Sequence, residues 1–332
     1  MATIYEIAKE ANVSPSTVAR ALRGTGYCSA EKRAKIKALA QRMGYVPNHA
    51  ARSLKSKRSQ KILFCIPDIY NPFYFRMIKG ASEVLERFDY FPVLCHTKGD
   101  PQTELKMLRN LQEGFGDGMI FVSFDFNERN ITAVNESGCP VVLTNNYQSP
   151  AGSDTFDCVY VDTYEGIRMA TQHFIDKGFE RIGYIGGNTK TQTGRERFSG
   201  FLRAMQDRAL PINQHLFKVG DFSMDSGRRA MAELFRDGRL PQALVVANDL
   251  MAIGASQFCQ ENQIRIPEDM AVIGMDNSDL AVCLRLSSIR MCEEELGKKA
   301  AELLMQRILH GSHEKMTIRL QPQLILRASS EA

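Results

Sequence analysis

Residues 3–22 read TIYEIAKEANVSPSTVARAL, and this stretch decides the fold of the N-terminal part of the chain. Thr3 and Glu6 have the spacing of a capping box, in which each side chain accepts a hydrogen bond from the other residue's backbone N–H. A polar gap then interrupts the helical pattern. Ser14 and Pro15 restart it with a capping hydroxyl and a proline at the first helical position. Two short helices joined by a tight turn are typical of a helix-turn-helix.

The charge of the chain is unevenly distributed. Residues 1–61 contain 13 Lys and Arg against 3 Asp and Glu, and the remaining 271 residues contain 29 against 35. A head of net charge +10 therefore precedes a body of net charge −6, which favours a nucleic-acid partner for the head. A small helical bundle with a solvated cationic face is the alternative. Capping pattern, spacing and charge together favour DNA binding over it.

The second helix supplies the candidates for reading DNA sequence, because in a helix-turn-helix its first residues meet base edges in the major groove. These candidates are Pro15, Ser16 and Arg20, and the arginine is suited to bidentate hydrogen bonding with guanine. Ser14 and Thr17, together with Asn48 further along the chain, are expected to bond phosphates, which sets register without reading sequence.

A third helix and a shorter fourth one follow. Ser29 is placed to cap a helix over residues 30–43, and Pro47 stops that helix. Asn48 can cap a further helix of about two turns, which ends in the polar run SKRSQK at residues 56–61. A helix this short is unstable alone in water, so it is expected to fold only with a partner helix and DNA.

Residues 3–61 resemble the DNA-binding head and hinge of the LacI/GalR (lactose/galactose repressor) family of bacterial regulators. The run ARSLK at residues 51–55 matches the hinge of some family members. The resemblance implies that Leu54 is a wedge pushed from the minor groove into the central step of a palindromic operator, with Lys55 beside it. An ordinary buried leucine is the alternative reading. The predicted DNA contacts are Thr3, Ser14, Pro15, Ser16, Thr17, Arg20, Asn48, Ala51, Leu54 and Lys55.

After the hinge the pattern changes to apolar strands alternating with amphipathic helices. Such alternation indicates parallel sheets covered by helices on both faces. Two similar series of this kind predict two doubly wound α/β lobes with a ligand cleft between them, at the carboxyl ends of the strands. The predicted strands cover residues 62–67, 91–95, 118–123 and 140–145 in the first series and 159–161, 181–185, 216–219, 243–247 and 271–275 in the second.

Polar and aromatic residues follow several of these strands, which suits a polyhydroxylated ligand held by hydrogen bonds and ring stacking. Residues 62–328 resemble the periplasmic-binding-protein-like core of the same family, which implies that Arg197, Asn248 and Asp276 hold an effector covered by Phe73 and Phe222. Asn71 and Asn145 complete the predicted effector set. Thr191 stands where purine-responsive members have an arginine, so a sugar or sugar derivative is favoured over a purine.

The resemblance also implies a domain organisation in which the lobes are not continuous in sequence. Three crossovers between the lobes would act as the hinge of the cleft. The predicted segments are residues 1–46 for the helix-turn-helix, 47–61 for the hinge helix and linker, 62–161 with 293–320 for the first lobe, and 162–290 with 321–328 for the second.

An enzyme is the main rival class, but the motifs of the common nucleotide-, metal- and serine-dependent enzymes are missing from the sequence. We also expect no cofactor, no membrane span, and cysteines that are reduced, small core residues. The sequence therefore predicts a cytoplasmic, homodimeric, ligand-responsive repressor of carbohydrate genes that binds an operator in double-stranded DNA. The alternatives are a ligand-independent architectural DNA-binding protein, and a cytoplasmic sugar-binding protein or enzyme with an incidental basic head.

Overall fold

The computed structural model describes residues 2–24, 26–46, 58–147, 156–236, 238, 240–311 and 314–331. The chain divides into two compact units, Met1–Ser59 and Gln60–Ala332. The predicted hinge contacts Asn48, Ala51, Leu54 and Lys55 lie outside the described residues, so their roles stay predictions.

The first unit is helical, and the predicted helix-turn-helix is confirmed. The Thr3 and Glu6 capping box is formed in full, and the Ser14 hydroxyl accepts a hydrogen bond from the Thr17 backbone N–H. The three helices bury a small core that includes Ile7, Val18 and Ile36. The helices are α1 (Ile4–Glu10), α2 (Pro15–Arg23) and α3 (Ala30–Arg42).

The second unit contains two six-stranded sheets, which confirms the predicted pair of α/β lobes. The sheet orders are β11-β5-β4-β3-β1-β2 and β12-β10-β9-β8-β6-β7. The core strands of the two lobes thus follow the same doubly wound order, 2-1-3-4-5. The strands are β1 (Lys61–Ile66), β2 (Phe91–His96), β3 (Gly118–Phe121), β4 (Val141–Leu143), β5 (Asp157–Val161), β6 (Ile182–Gly186), β7 (Phe217–Val219), β8 (Ala243–Val246), β9 (Ala271–Asp276), β10 (Ser287–Arg290), β11 (Thr317–Leu320) and β12 (Gln323–Ile325).

The second sheet departs from the predicted all-parallel arrangement at its edge, where β12 pairs with β10 in the antiparallel direction. The chain leaves β11 at the cleft end of the first lobe and enters β12 two residues later. Strand β12 therefore starts at the cleft and runs away from it, whereas the other strands of that sheet end there. The chain also passes between the lobes at residues 161–163 and 290–293.

Helices cover both sheets, and glycines allow several of them to pack closely. A Cβ at Gly80 would overlap the Glu294 carbonyl, and a Cβ at Gly297 would overlap the Met77 carbonyl across the same helix pair. The helices of this unit are α4 (Phe73–Leu85), α5 (Pro101–Gln112), α6 (Glu128–Ser137), α7 (Thr163–Asp176), α8 (Gln192–Asp207), α9 (Met224–Arg236), α10 (Asp249–Glu261), α11 (Asp279–Cys283) and α12 (Glu293–His310).

A buried ion pair joins α12 to β5 in the first lobe. Arg307 donates through Nε and Nη2 to the two carboxylate oxygens of Asp157, at 2.6 and 2.8 Å. The Met316 backbone N–H also donates to Asp157, at 2.8 Å. Both charged side chains are buried, so the bidentate geometry compensates for their lost hydration.

A second buried polar pair, Glu104 and Asn130, joins α5 to α6. Asn130 Nδ2 donates to Glu104 Oε2 at 2.6 Å. Within the described part of the chain, the buried atoms Glu104 Oε1 and Asn130 Oδ1 have no hydrogen-bond partner. A neutral carboxyl group pairs with an amide through one hydrogen bond in each direction. A proton on Oε1 would therefore supply the missing donor, and burial raises the pKa of Glu104 to about 7.

We expect the Glu104 carboxyl to make the folded protein less stable as pH rises from about 4.5 to about 7. Its pKa is raised in the folded state, so the unfolded chain releases this proton at lower pH. The contribution to the slope is at most about 1.4 kcal/mol per pH unit. Chemical denaturation between pH 5 and 7 should show that the free energy of unfolding falls less steeply with pH in Glu104→Gln than in the wild-type protein. The exposed control Glu113→Gln should keep the wild-type slope. An unchanged slope in Glu104→Gln would contradict the assignment.

The cysteine prediction is correct for some positions and wrong for others. All eight cysteines are free thiols. Cys65, Cys158 and Cys259 are buried as expected, but Cys283 is exposed because it lies on the short surface helix α11. The helices in the described ranges are all too short or too polar to cross a lipid bilayer.

Candidate effector cleft and DNA-reading face

The start of α2 presents a cluster of hydroxyl groups. Ser14 Oγ lies 2.8 Å from Ser16 Oγ and 2.9 Å from Thr17 Oγ1, and Arg20 Nη2 approaches Thr17 Oγ1 at 3.5 Å. Ser14, Ser16 and Arg20 are exposed, whereas Thr17 and Pro15 are half-buried. Hydrogen-bond donors of this kind at a helix N-terminus suit phosphate and base-edge contacts.

Two exposed tyrosines of the head were missed by the sequence reasoning. Tyr27 is 96% exposed and Tyr5 is 72% exposed, which is unusual for large aromatic side chains in a small helical unit. Their phenol groups can donate hydrogen bonds to phosphate. Their position inside the basic head was the available signal.

The structure brings all seven predicted effector residues to one cavity, which we call the cleft. It is bounded on one side by residues of the first lobe and on the other by residues of the second. From the predicted set it is lined by Asn71, Phe73, Asn145, Arg197, Phe222, Asn248 and Asp276. The structure itself does not test whether these residues bind an effector, so that role stays a prediction.

Phe222 holds a defined position in the cleft. Its backbone has φ of 69°, a left-handed conformation that a phenylalanine adopts only under local constraint. The Asn248 side chain supplies that constraint by donating through Nδ2 to the Phe222 carbonyl at 2.9 Å. Gly187 lies against the ring, where a Cβ would clash. The ring is therefore oriented before any ligand arrives.

Arg197 extends from α8 into the cleft. Its guanidinium lies 5.3 Å from the centre of the Phe222 ring, and Nη1 donates to the Ala247 carbonyl. The buried Nε atom has no hydrogen-bond acceptor in the described residues. A buried donor without an acceptor costs free energy, which an acceptor on a ligand would recover.

Asp276 ends β9 at the floor of the cleft. Asp276 and the following Asn277 both have positive φ, at 119° and 54°, so the strand stops abruptly there. Burial, together with the neighbouring Asp249 carboxyl, raises the pKa of Asp276. Asp249 accepts hydrogen bonds from Ser278 and from Ser288, which hold this region in place.

The first lobe contributes amide and aromatic groups. Asn71 Oδ1 accepts from the Phe73 backbone N–H at 3.0 Å, and Asn145 Oδ1 accepts from the Ser123 backbone N–H at 3.3 Å. The Phe73 ring stands edge-on to the ring of Tyr74, with centres 5.2 Å apart. Asn71 thus closes a turn immediately before α4, and it lines the cleft together with Phe73 and Asn145.

The sequence reasoning missed Glu196, which also lines the cleft. Its carboxylate accepts from Gln192 Nε2 at 2.9 Å and from Thr163 Oγ1 at 3.3 Å. Burial raises the pKa of Glu196. Its place on α8 immediately before Arg197 was the available signal. Thr191 caps α8 by accepting from the Gly194 N–H and is absent from the residues that line the cleft.

Contacts between the lobes close one side of the cleft. The Phe124 ring stacks on Phe222 with centres 5.1 Å apart. The Gln192 backbone N–H donates to Asp125 at 3.2 Å, and the Gln192 side chain donates to the Asn146 carbonyl. Because these groups come from different lobes, a change in the angle between the lobes would break them.

Comparison with known proteins agrees with this arrangement. Residues 3–48 match the family described as bacterial regulatory proteins, lacI family, and residues 171–330 match the periplasmic binding protein-like domain. The HTH-type transcriptional repressor PurR of Photobacterium profundum is 31% identical over 333 residues, which cover 99% of this chain and 98% of that relative.

Solved structures resemble the chain over its whole length. A complex of the transcriptional regulator CelR with cellobiose is 27% identical, with a TM-score of 0.75 over 99% of this chain and 100% of that one. The lac repressor dimer bound to operator and an anti-inducer has a TM-score of 0.87 over 100% of this chain and 99% of that one; its identity of 22% supports likeness of fold alone. The chain therefore belongs to the lacI family of bacterial regulatory proteins and is a ligand-responsive, DNA-binding transcriptional regulator.

Proposed function

We propose that the protein represses carbohydrate genes and that its effector is a sugar or sugar derivative bound in the cleft. The observation that carries this proposal is the convergence of oriented rings and hydrogen-bonding groups on one cavity. Phe73 and Phe222 offer apolar faces, while Asn248, Arg197 and Asp276 offer donors and acceptors. Such a combination suits a sugar ring, which has apolar faces for the aromatic rings and hydroxyl groups at its edge for the hydrogen bonds.

The charges in the cleft favour a neutral or cationic effector over an anionic one. Arg197 is accompanied by the carboxyl groups of Asp276 and Glu196. An added phosphate or carboxylate would have to share the Arg197 guanidinium with these two carboxyl groups, whose raised pKa values show that negative charge is already disfavoured in this partly desolvated site. The cellobiose complex of the CelR regulator, a neutral disaccharide in a related protein, supports the same choice. We propose that the cleft binds its sugar effector without catalysing any reaction of it.

We propose further that the protein acts in the cytoplasm as a homodimer on a palindromic operator, with the Leu54 wedges at its centre. Leu280, Val282 and Leu284, on and after α11, are exposed apolar side chains. Exposed apolar side chains on a surface helix are suited to burial against a second copy of the chain. Two copies would place two α2 helices in successive major grooves.

Two measurements on the full chain test this function. In gel shifts with the DNA flanking its own gene, we expect affinity to fall steeply as salt rises, because bound cations are released from the phosphates. In thermal shift with a panel of neutral mono- and disaccharides, we expect at least one to raise Tm. Binding that is insensitive to salt would contradict operator binding through the basic head. An absence of any sugar response would overturn the proposed sugar effector and point to another class of ligand.

A further inference from the structure

Cys65 and Cys95 occupy facing positions on neighbouring strands. Strands β1 and β2 are parallel, and the two cysteines are Cα partners in their register. Paired residues of adjacent strands project from the same side of a sheet, and both side chains join the apolar cluster on that side of the first lobe. Adjacent strands lie about 4.8 Å apart. That spacing falls within the Cα separation of about 4.4–6.8 Å found for disulfides.

The two thiols differ in exposure and acidity. Cys65 is fully buried, whereas Cys95 is half-buried on the edge strand β2 and reachable from solvent. The Cys95 thiol donates to the Val93 carbonyl at 3.5 Å. Interaction with the neighbouring Cys65 thiol lowers the pKa of Cys95. The same interaction, together with burial, raises the pKa of Cys65. Cys95 is thus the thiol that becomes a thiolate first, and the thiolate is the reactive form.

We propose that Cys65 and Cys95 form a dithiol site that hydrogen peroxide converts reversibly to a disulfide. The Cys95 thiolate attacks a peroxide oxygen, so an S–O bond forms, the O–O bond breaks and hydroxide leaves. The Cys65 sulfur then attacks the Cys95 sulfur, so the S–S bond forms and the S–O bond breaks. The departing oxygen takes up the Cys65 proton and leaves as water. Two electrons pass from the two sulfurs to the peroxide, which is reduced to two molecules of water.

The position of β2 makes the bond attainable but strained. The Cβ atoms of a disulfide are about 3.8 Å apart, which is closer than the strand spacing. Strand β2 is the outer strand of its sheet, so it can approach β1 without compressing another strand. A strained disulfide is more easily reduced, as a reversible site requires.

Peptide mapping of the full chain tests this site. The protein is treated with hydrogen peroxide, the remaining thiols are alkylated, and the digest is made with trypsin without reductant. Cys65 and Cys95 fall in separate peptides, residues 62–76 and 88–98. We expect these peptides to be linked with the loss of two hydrogens. We also expect the chain to run as a monomer on a non-reducing gel, and dithiothreitol to restore both thiols.

Variants separate the roles of the two sulfurs. In Cys65→Ala, Cys95 should stop at a sulfenic acid that dimedone traps, whereas in Cys95→Ser the buried Cys65 should stay reduced. The matched control is Cys139→Ser, a half-buried position packed against the same cluster, which should leave the 62–76 to 88–98 link unchanged. The proposal is overturned if Cys65 and Cys95 are both still free for alkylation after a peroxide dose that oxidises the exposed Cys283. It is equally overturned if Cys95 proceeds to sulfonic acid while Cys65 stays reduced.

Discussion

Replacing Asp157 with alanine is expected to lower the free energy of unfolding by about 3–5 kcal/mol. The substitution leaves the buried Arg307 guanidinium without its carboxylate and removes the acceptor of the Met316 backbone N–H. A buried charge without a partner is costly because it has lost its hydration and gained nothing in exchange. Chemical denaturation of the full chain, followed by helical circular dichroism, measures the change.

Two further variants identify the cause of that loss. Asp207→Ala removes an exposed ion pair with Arg203 at 2.9 Å and should change stability by at most about 0.5 kcal/mol. The double variant Asp157→Leu, Arg307→Met removes both buried charges and should recover most of the lost stability. If the double variant is as unstable as Asp157→Ala alone, the stability is lost through altered packing between α12 and β5 and not through the unpaired charge.

Local signals predicted most of the fold because caps and periodicity act over a few residues. Ser14 caps α2 as its spacing indicates, and most apolar runs became buried strands, whereas β2 and β7 at the sheet edges stay partly exposed. Strand β10 escaped prediction because it begins with two serines, which are rare in buried strands. In the structure Ser288 donates to Asp249 and Ser287 donates to the Arg327 carbonyl, so both hydroxyls are satisfied.

The candidate site likewise has residues that the sequence could predict and contacts that it could not. The polar residues at strand ends were visible because parallel strands bring their carboxyl ends together, and the family resemblance picked out Arg197 and Asp276 among them. The stack of Phe124 on Phe222 and the contacts of Gln192 with the opposite lobe were not visible, since they join segments 46 to 98 positions apart that only the closed cleft brings together. The roles of the hinge residues in DNA binding remain predictions.

Arg197→Ala is expected to abolish the response to effector while DNA binding is retained. The substitution removes the buried Nε donor and the cation over the Phe222 ring, and it removes the positive charge that opposes the raised pKa of Asp276. Loss of a charged hydrogen-bonding group in a desolvated site commonly weakens binding by about 2–5 kcal/mol, which corresponds to a decrease in affinity of about 30-fold or more. Isothermal titration with the sugar that stabilises the wild-type protein measures the affinity, and gel shifts with and without that sugar measure the response.

Arg203→Ala is the matched control for this prediction. Arg203 lies six positions later on α8, is mostly exposed, and contacts Asp207 of the same helix at 2.9 Å without lining the cleft. It should therefore keep the effector response, while Arg197→Lys, which retains the charge but not the planar donor set, should give an intermediate affinity. A full response in Arg197→Ala would place the effector elsewhere. Equal losses in Arg203→Ala and Arg197→Ala would mean that the position of α8, and not the Arg197 guanidinium, controls the effector response.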